Sequence, residues 1–293
     1  MLPMQTIYHK LLRPGQIFFA IALVGFGILQ LIYGDIVIGR APAYPPGVPG
    51  QYIFACIWGA AFVLVAVLIL GGRREQAWTG LIVTAFFVFV WAFLRQLPTV
   101  FANPNGGTIT ALGKAIALFG GTLAVAASIA FSVLGLLPEP PKEGRELKSA
   151  ILNAMFLGIG TISVGGFLIL GGVEHFIYPQ FVATLVPTWI PGAMFWTYFA
   201  GTALILGGLG IVIPFVSKIN RPATALSGLM IFLWVFILHL PRAITAADAA
   251  SQRNEWTAVF EALAISGIAF AIAGLPSVRS RETTRSRRSG DWR

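Results

Sequence analysis

Apolar residues in this chain come in long blocks that are hydrophobic on every side, not in one-sided stripes. Eight such blocks, roughly 17–38, 52–71, 77–96, 109–137, 151–175, 193–216, 223–240 and 256–275, punctuate the sequence. Each approaches or exceeds the roughly 20 residues that carry a helix across about 30 Å of hydrocarbon. Strict two-residue alternation is absent, so the β-barrel pattern does not fit. Polar breaks with Pro, Gly or charge separate blocks at Arg73-Arg74-Glu75, Pro138 to Lys148, and Lys218 to Pro222. Asn105-Gly106-Gly107-Thr108 and Asn254 offer capping groups before the fourth and eighth blocks. The pattern predicts an all-α polytopic membrane protein with eight transmembrane helices.

Composition narrows the class further. Of 293 residues, 57% are apolar and 11% charged, and the mean hydropathy is +0.81. A soluble domain carries about 25% charged residues, so a soluble enzyme, a disordered chain and a secreted disulfide scaffold are excluded. Cys56 is the only cysteine, which leaves no internal disulfide and no Cys-x-x-Cys redox or zinc motif.

Charge orients the spans. With eight crossings, one side receives Lys10, Arg13, Arg73, Arg74, Lys142, Arg145, Lys148, Lys218, Arg221 and six tail arginines, 15 of the 20 basic residues. The other side receives Arg40, Arg95, Lys114, Arg242 and Arg253. The positive-inside rule then predicts cytoplasmic termini. The first apolar block is longer than the core of a cleaved signal, so it is expected to remain as a span. Of the net charge of +9, the Arg/Ser/Thr-rich tail 277–293 supplies +4, from six arginines less Glu282 and Asp291; it is expected to be disordered and close to anionic headgroups. Nothing accompanies it that would make a nucleic-acid site.

The chain is also written twice. GILQLIYGDIV at 27–37 aligns with GVEHFIYPQFV at 172–182. Val48-Pro49-Gly50 aligns with Ile190-Pro191-Gly192, Gly59 with Gly201, and Leu97-Pro98 with Leu240-Pro241. Thr110-Ala111, Lys114 and Gly120 align with Thr257-Ala258, Glu261 and Gly267, so the offsets stay between 142 and 147. The expected organisation is a first four-helix repeat at 1–138, a linker at 139–149, a second repeat at 150–276 and the tail. Four is even, so both copies enter from the same side as parallel repeats about an axis along the membrane normal.

The copies differ in chemistry. Glu174, His175, His239, Arg242 and Glu261 stand where the first copy has Leu29, Gln30, Gln96, Thr99 and Lys114. Either the second copy is functional and the first a scaffold, or the halves hold complementary charges that face each other. The assigned orientation brings these five ionisable groups to the outer boundary. Glu261 is deepest and should face the interior, because an unpaired carboxylate in hydrocarbon is costly. Arg242 and Lys114 are its two candidate partners. PQFVATLVPTWIPGAMFW at 179–196 has three prolines, two tryptophans and no charge, so it should form a broken interfacial lid. Polar groups under an apolar lid suit an amphipathic ligand entering from lipid. The candidate ligand-binding set is Glu174, His175, Trp189, Trp196, His239, Arg242, Trp256 and Glu261. No catalytic or metal-binding residue is assigned: His175 and His239 are suitable donors without a metal spacing.

GVEHFIYPQFV, VPTWIPGAMFW, HLPR and NEWTAVFEALAISG together resemble the DoxX-like family of four-helix bacterial membrane proteins, most strongly over 155–275. The resemblance implies a bacterial inner membrane, a redox-associated role, and quinone or bound lipid as ligand. It implies no catalytic residue, and whether the chain is an enzyme stays open. Expected partners are the lipid bilayer, a soluble redox protein and a second copy of the chain. The readings beside a quinone- or lipid-binding subunit are a structural or assembly factor and a small-molecule or proton transporter.

Overall fold

A computed structural model of the chain describes residues 8–37, 49–133, 145–213 and 217–275. Among them the helices are α1 (Leu12–Tyr33), α2 (Gln51–Leu70), α3 (Arg74–Trp91), α4 (Leu97–Ala102), α5 (Gly106–Val133) and α6 (Arg145–Ile177). Then follow α7 (Pro179–Ala183), α8 (Ala193–Val212), α9 (Ser217–Trp234), α10 (Leu240–Thr245) and α11 (Ala249–Gly274). No strand occurs among the described residues, and eight helical segments are long and apolar enough to span a membrane. The chain is an all-α, multi-pass integral membrane protein. The cationic tail from 277, most of the linker and the Ala41 to Val48 stretch lie outside the described residues.

Two spans run past the prolines at which the sequence predicted them to stop. Pro98 and Pro241 lack an N–H, and each ring would strike the carbonyl four residues earlier. Five-residue π-helical turns at Ala92–Gln96 and Val235–His239 widen the helix there. Leu97 N–H bonds back to the Ala92 carbonyl, and Leu240 N–H to that of Val235. The spans therefore continue to Ala102 and Thr245. The cap of α11 also differs from expectation. Asp248, not Asn254, accepts the Ser251 N–H at 2.9 Å and its hydroxyl at 2.6 Å. These bonds, the hydroxyl's first, hold the Asp248 carboxyl below its ordinary range. Asn105 does cap α5, accepting the Thr108 N–H at 3.1 Å.

Helix neighbours do not fall into two separate bundles. The helices pack α1–α2–α3–α5 and α6–α8–α9–α11, but α1 also packs extensively on α11, and α6 on α5. The α5–α11 contact closes the waist between them. The result is two rings that share α5 and α11, with α1 and α6 leaning on the other half. Glycines set these crossings. A β-carbon on Gly27 would lie 2.6 Å from the Gly59 carbonyl oxygen, and one on Gly172 2.7 Å from that of Gly201. Between halves, Gly15 would meet the Gly267 carbonyl oxygen at 2.6 Å and Gly160 that of Gly120 at 2.6 Å. Without a hydrophobic drive between helices in lipid, such close backbone approach is a main source of association. Ile32, Phe86, Phe101, Phe181 and Leu226 are exposed and make an apolar outer face.

At one end, here the lower, His9 Nδ1 lies 3.2 Å from the Gly274 carbonyl oxygen, so the described chain ends meet. Arg13 donates to the Ile69 and Leu70 carbonyls that finish α2, both at 3.1 Å, and Arg221 donates to the Leu275 carbonyl. Cations at helix C-termini satisfy the orphan carbonyls and the dipole. The polar groups singled out in the sequence gather at the opposite, upper end.

Candidate functional site

The waist carries the deepest charges. Lys114 on α5 donates to Glu261 Oε2 on α11 at 2.7 Å. Glu261 is only 4% exposed, and its Oε1 is buried with no hydrogen-bond partner. Because α11 starts at Ala249, Glu261 sits about 18 Å along its helix, deeper than a start at Asn254 implied. One turn above Lys114 on the same face of α5, the Thr110 hydroxyl lies 2.6 and 2.8 Å from the two carboxylate oxygens of Glu174 on α6. The same hydroxyl lies 2.6 Å from the Gly106 carbonyl oxygen. Two carboxyl groups from the second half thus converge on one α5 face of the first. Lys114 and Glu261 are also corresponding positions of the aligned repeats. Facing across the waist, they realise the reading in which the halves hold complementary charges.

Two further ion pairs surround this core. Arg253 on α11 donates to Asp35 Oδ2 at 2.7 Å, with Asp35 3% exposed just after α1. Arg253 also lies over the Tyr33 ring at 5.9 Å. Arg242 donates to Glu255 Oε1 at 2.5 Å. Of the two candidate partners for Glu261, the structure selects Lys114. Arg242 sits on α10, where Glu255 on the first turns of α11 is the nearer acid.

The remaining sequence-predicted residues divide by direction. His175 and Glu174 are adjacent, about 100° apart on the helix, and they face different neighbours. The His175 ring bonds to the Gly171 carbonyl at 2.7 Å, and its β-carbon packs on Gly201 of α8. His239 ends the second π-turn and is half-buried. Trp256 is half-buried and stacks on Phe260. Trp189 is 71% exposed, and Trp196 is exposed with its indole N–H on the Pro191 carbonyl at 3.2 Å. Both tryptophans of the 179–196 segment are exposed, as interface anchors are. The segment is broken as its prolines predict, with the short α7 at its start and α8 beginning at Ala193. Among the described residues no three His, Cys, Asp or Glu side chains gather as a metal site.

Sequence reasoning passed over Asp35, Thr110, Arg253 and Glu255. Asp35 and Thr110 both lie in segments aligned between the halves, and counting charges at the upper end of both copies would have set Asp35 against Arg253. Gln30 was also passed over as a site. It is wholly buried on α1 beside Gly59, and neither its amide oxygen nor its nitrogen has a partner.

Residues 164–279 match a family model described as a domain of unknown function (DUF8561). The matched segment contains all eight sequence-predicted site residues, but not Thr110, Lys114 or Asp35, to which three of the upper-end acids and bases bond. No curated protein and no solved structure is detectably similar to the chain.

Proposed function

We propose that this integral membrane protein is a ligand-binding membrane subunit, and that its ligand is the polar head of an amphiphile admitted at the upper waist. The observation that carries this is the second oxygen of Glu261. Lys114 occupies Oε2, while Oε1 is buried and unbonded. Leaving such an acceptor unsatisfied costs about 1–3 kcal/mol or more for a charged group, which a donor from a bound molecule offsets. An ionised carboxylate accepts only, so the ligand must present an O–H or N–H: a quinol hydroxyl, or the hydroxyl or ammonium of a lipid headgroup. Quinone chemistry is also what the DoxX-like resemblance implies, together with a soluble redox partner, a bacterial inner membrane and cytoplasmic termini. In that orientation the upper waist lies on the side of the periplasmic leaflet. Thr110, Lys114, Glu174 and Glu261 hold and orient the head; none is assigned a bond-breaking role.

The test is mass spectrometry of small molecules that co-purify with the intact protein. A hydroxyl- or ammonium-bearing amphiphile near one per chain, lost from folded Glu261→Gln and retained in His239→Ala, is the expected result. Wild-type protein without any stoichiometric amphiphile would overturn the reading.

A second reading has its own observation. Lys114–Glu261, Asp35–Arg253 and Thr110–Glu174 each join the first half to the second. A static clasp needs nothing more, and it predicts that Glu261→Gln lowers thermal stability while changing no bound molecule.

A further inference from the structure

The upper waist sets two acids against one base. Glu174 and Glu261 reach the same face of α5 one turn apart, about 6 Å at 1.5 Å per residue. Lys114 is the cation they share: it donates to Glu261 Oε2 at 2.7 Å and lies within electrostatic reach of Glu174. Elsewhere at this end acid and base match one to one, Asp35 with Arg253 and Glu255 with Arg242. Arg95 stands on α3 over the Trp91 ring at 5.4 Å, and the adjoining α7 and α8 carry no charged residue.

Donors are as scarce as cations. Thr110 brings one hydroxyl to Glu174, and the same hydroxyl lies 2.6 Å from the Gly106 carbonyl oxygen. Glu261 Oε1 is buried without a partner. A ligand hydroxyl would satisfy that oxygen and leave the excess of acid untouched. A primary ammonium supplies both needs, three N–H groups and a positive charge. Its bonds to carboxylates are about twice as strong as neutral ones, and uncompensated charge beside hydrocarbon is expensive. A quaternary ammonium carries the charge without an N–H and suits aromatic cages, whereas this cluster is built of oxygens.

Depth favours a small head as well. Along α5, Thr110 lies about 6 Å and Lys114 about 12 Å from Gly106. Lys114 keeps 19% of its side chain exposed against 5% for Glu261, and Glu174 is half-buried, so the cluster is approached by way of α5 and α6. An ammonium on a short ethanolamine arm reaches that depth while its phosphate stays nearer the polar surface.

We infer that the upper waist selects a lipid with a primary-ammonium headgroup, which donates to Glu261 Oε1 while Glu174 supplies the second negative charge. The inference rests on the amphiphile reading above and narrows it from any O–H or N–H donor to one class.

Binding of defined amphiphiles to the delipidated, full-length protein in detergent tests it, read by native mass spectrometry and by thermal shift. Phosphatidylethanolamine is expected to bind at one per chain, at least about tenfold tighter than phosphatidylcholine, phosphatidylglycerol or a short-chain quinol. Tenfold is roughly the worth of one charge-assisted hydrogen bond. Phosphatidylcholine lacks the N–H groups, and phosphatidylglycerol and the quinol offer hydroxyls without the cation. Glu174→Gln should weaken phosphatidylethanolamine by about tenfold and leave the quinol unchanged. Equal affinity for phosphatidylcholine, or preference for phosphatidylglycerol or the quinol, would overturn the inference and leave the amphiphile reading standing. Free ethanolamine binding as tightly as the lipid would overturn the lipid as source. If no amphiphile binds, the reading beneath the inference fails with it. Should Glu174→Gln not fold, the wild-type series decides.

Discussion

At the scale of single residues, burial without a partner marks where the sequence departs from simple packing. Gln30 is fully enclosed between α1 and α2 with an unbonded amide, whereas His175, at the corresponding position, satisfies its ring on Gly171. Replacing a buried, unpaired amide by an apolar group of similar length removes a penalty of about 1–3 kcal/mol. Gln30→Met is therefore expected to raise the thermal midpoint in detergent. A lowered midpoint would mean that the amide is in use. The same logic separates Glu261 from Gln30: a carboxylate already held by Lys114 cannot be truncated without stranding the ammonium.

Helices are held here by what their glycines permit. At Gly15 a β-carbon would lie 2.3 Å from the Ala271 nitrogen and 2.6 Å from the Gly267 oxygen, while at Gly158 nothing lies within 4 Å. Gly15→Val should therefore part α1 from α11 and cost several kcal/mol. Gly158→Ala should be neutral or stabilise by about 0.5–1 kcal/mol through helix propensity. Thermal unfolding of the two variants side by side checks the contrast, and equal effects would refute it. Such blocks of apolar residues were legible because span length is dictated by the bilayer. Their ends were less so. Pro98 and Pro241 read as stops, since a π-turn leaves no trace in hydrophobicity. Asp248 was hidden because Ala249-Ala250 does not begin an apolar period. Rotation of a helix about its axis was not legible either, which is why Arg242, near Glu261 in sequence, proved to bond Glu255. Lys114 could be set opposite Glu261 only by aligning the chain with itself.

For the whole molecule, opposite charges at corresponding positions mean that two first halves would bring Lys114 against Lys114, and two second halves Glu261 against Glu261. Cutting the chain between 138 and 145 and expressing both pieces together is expected to yield a one-to-one complex, with little self-pairing of either piece. Abundant homodimers of one piece in size-exclusion and pull-down measurements would refute this. The α1–α11 contact has a further bearing, on biogenesis. α1 has its broadest docking surface on α11, a helix made much later in the chain. While synthesis proceeds, the face around Gly15 must wait, open to lipid or to an insertion chaperone, until the ribosome has delivered α11. Closure of the ring thus makes delivery of α11, not any early hairpin, the committing step of assembly.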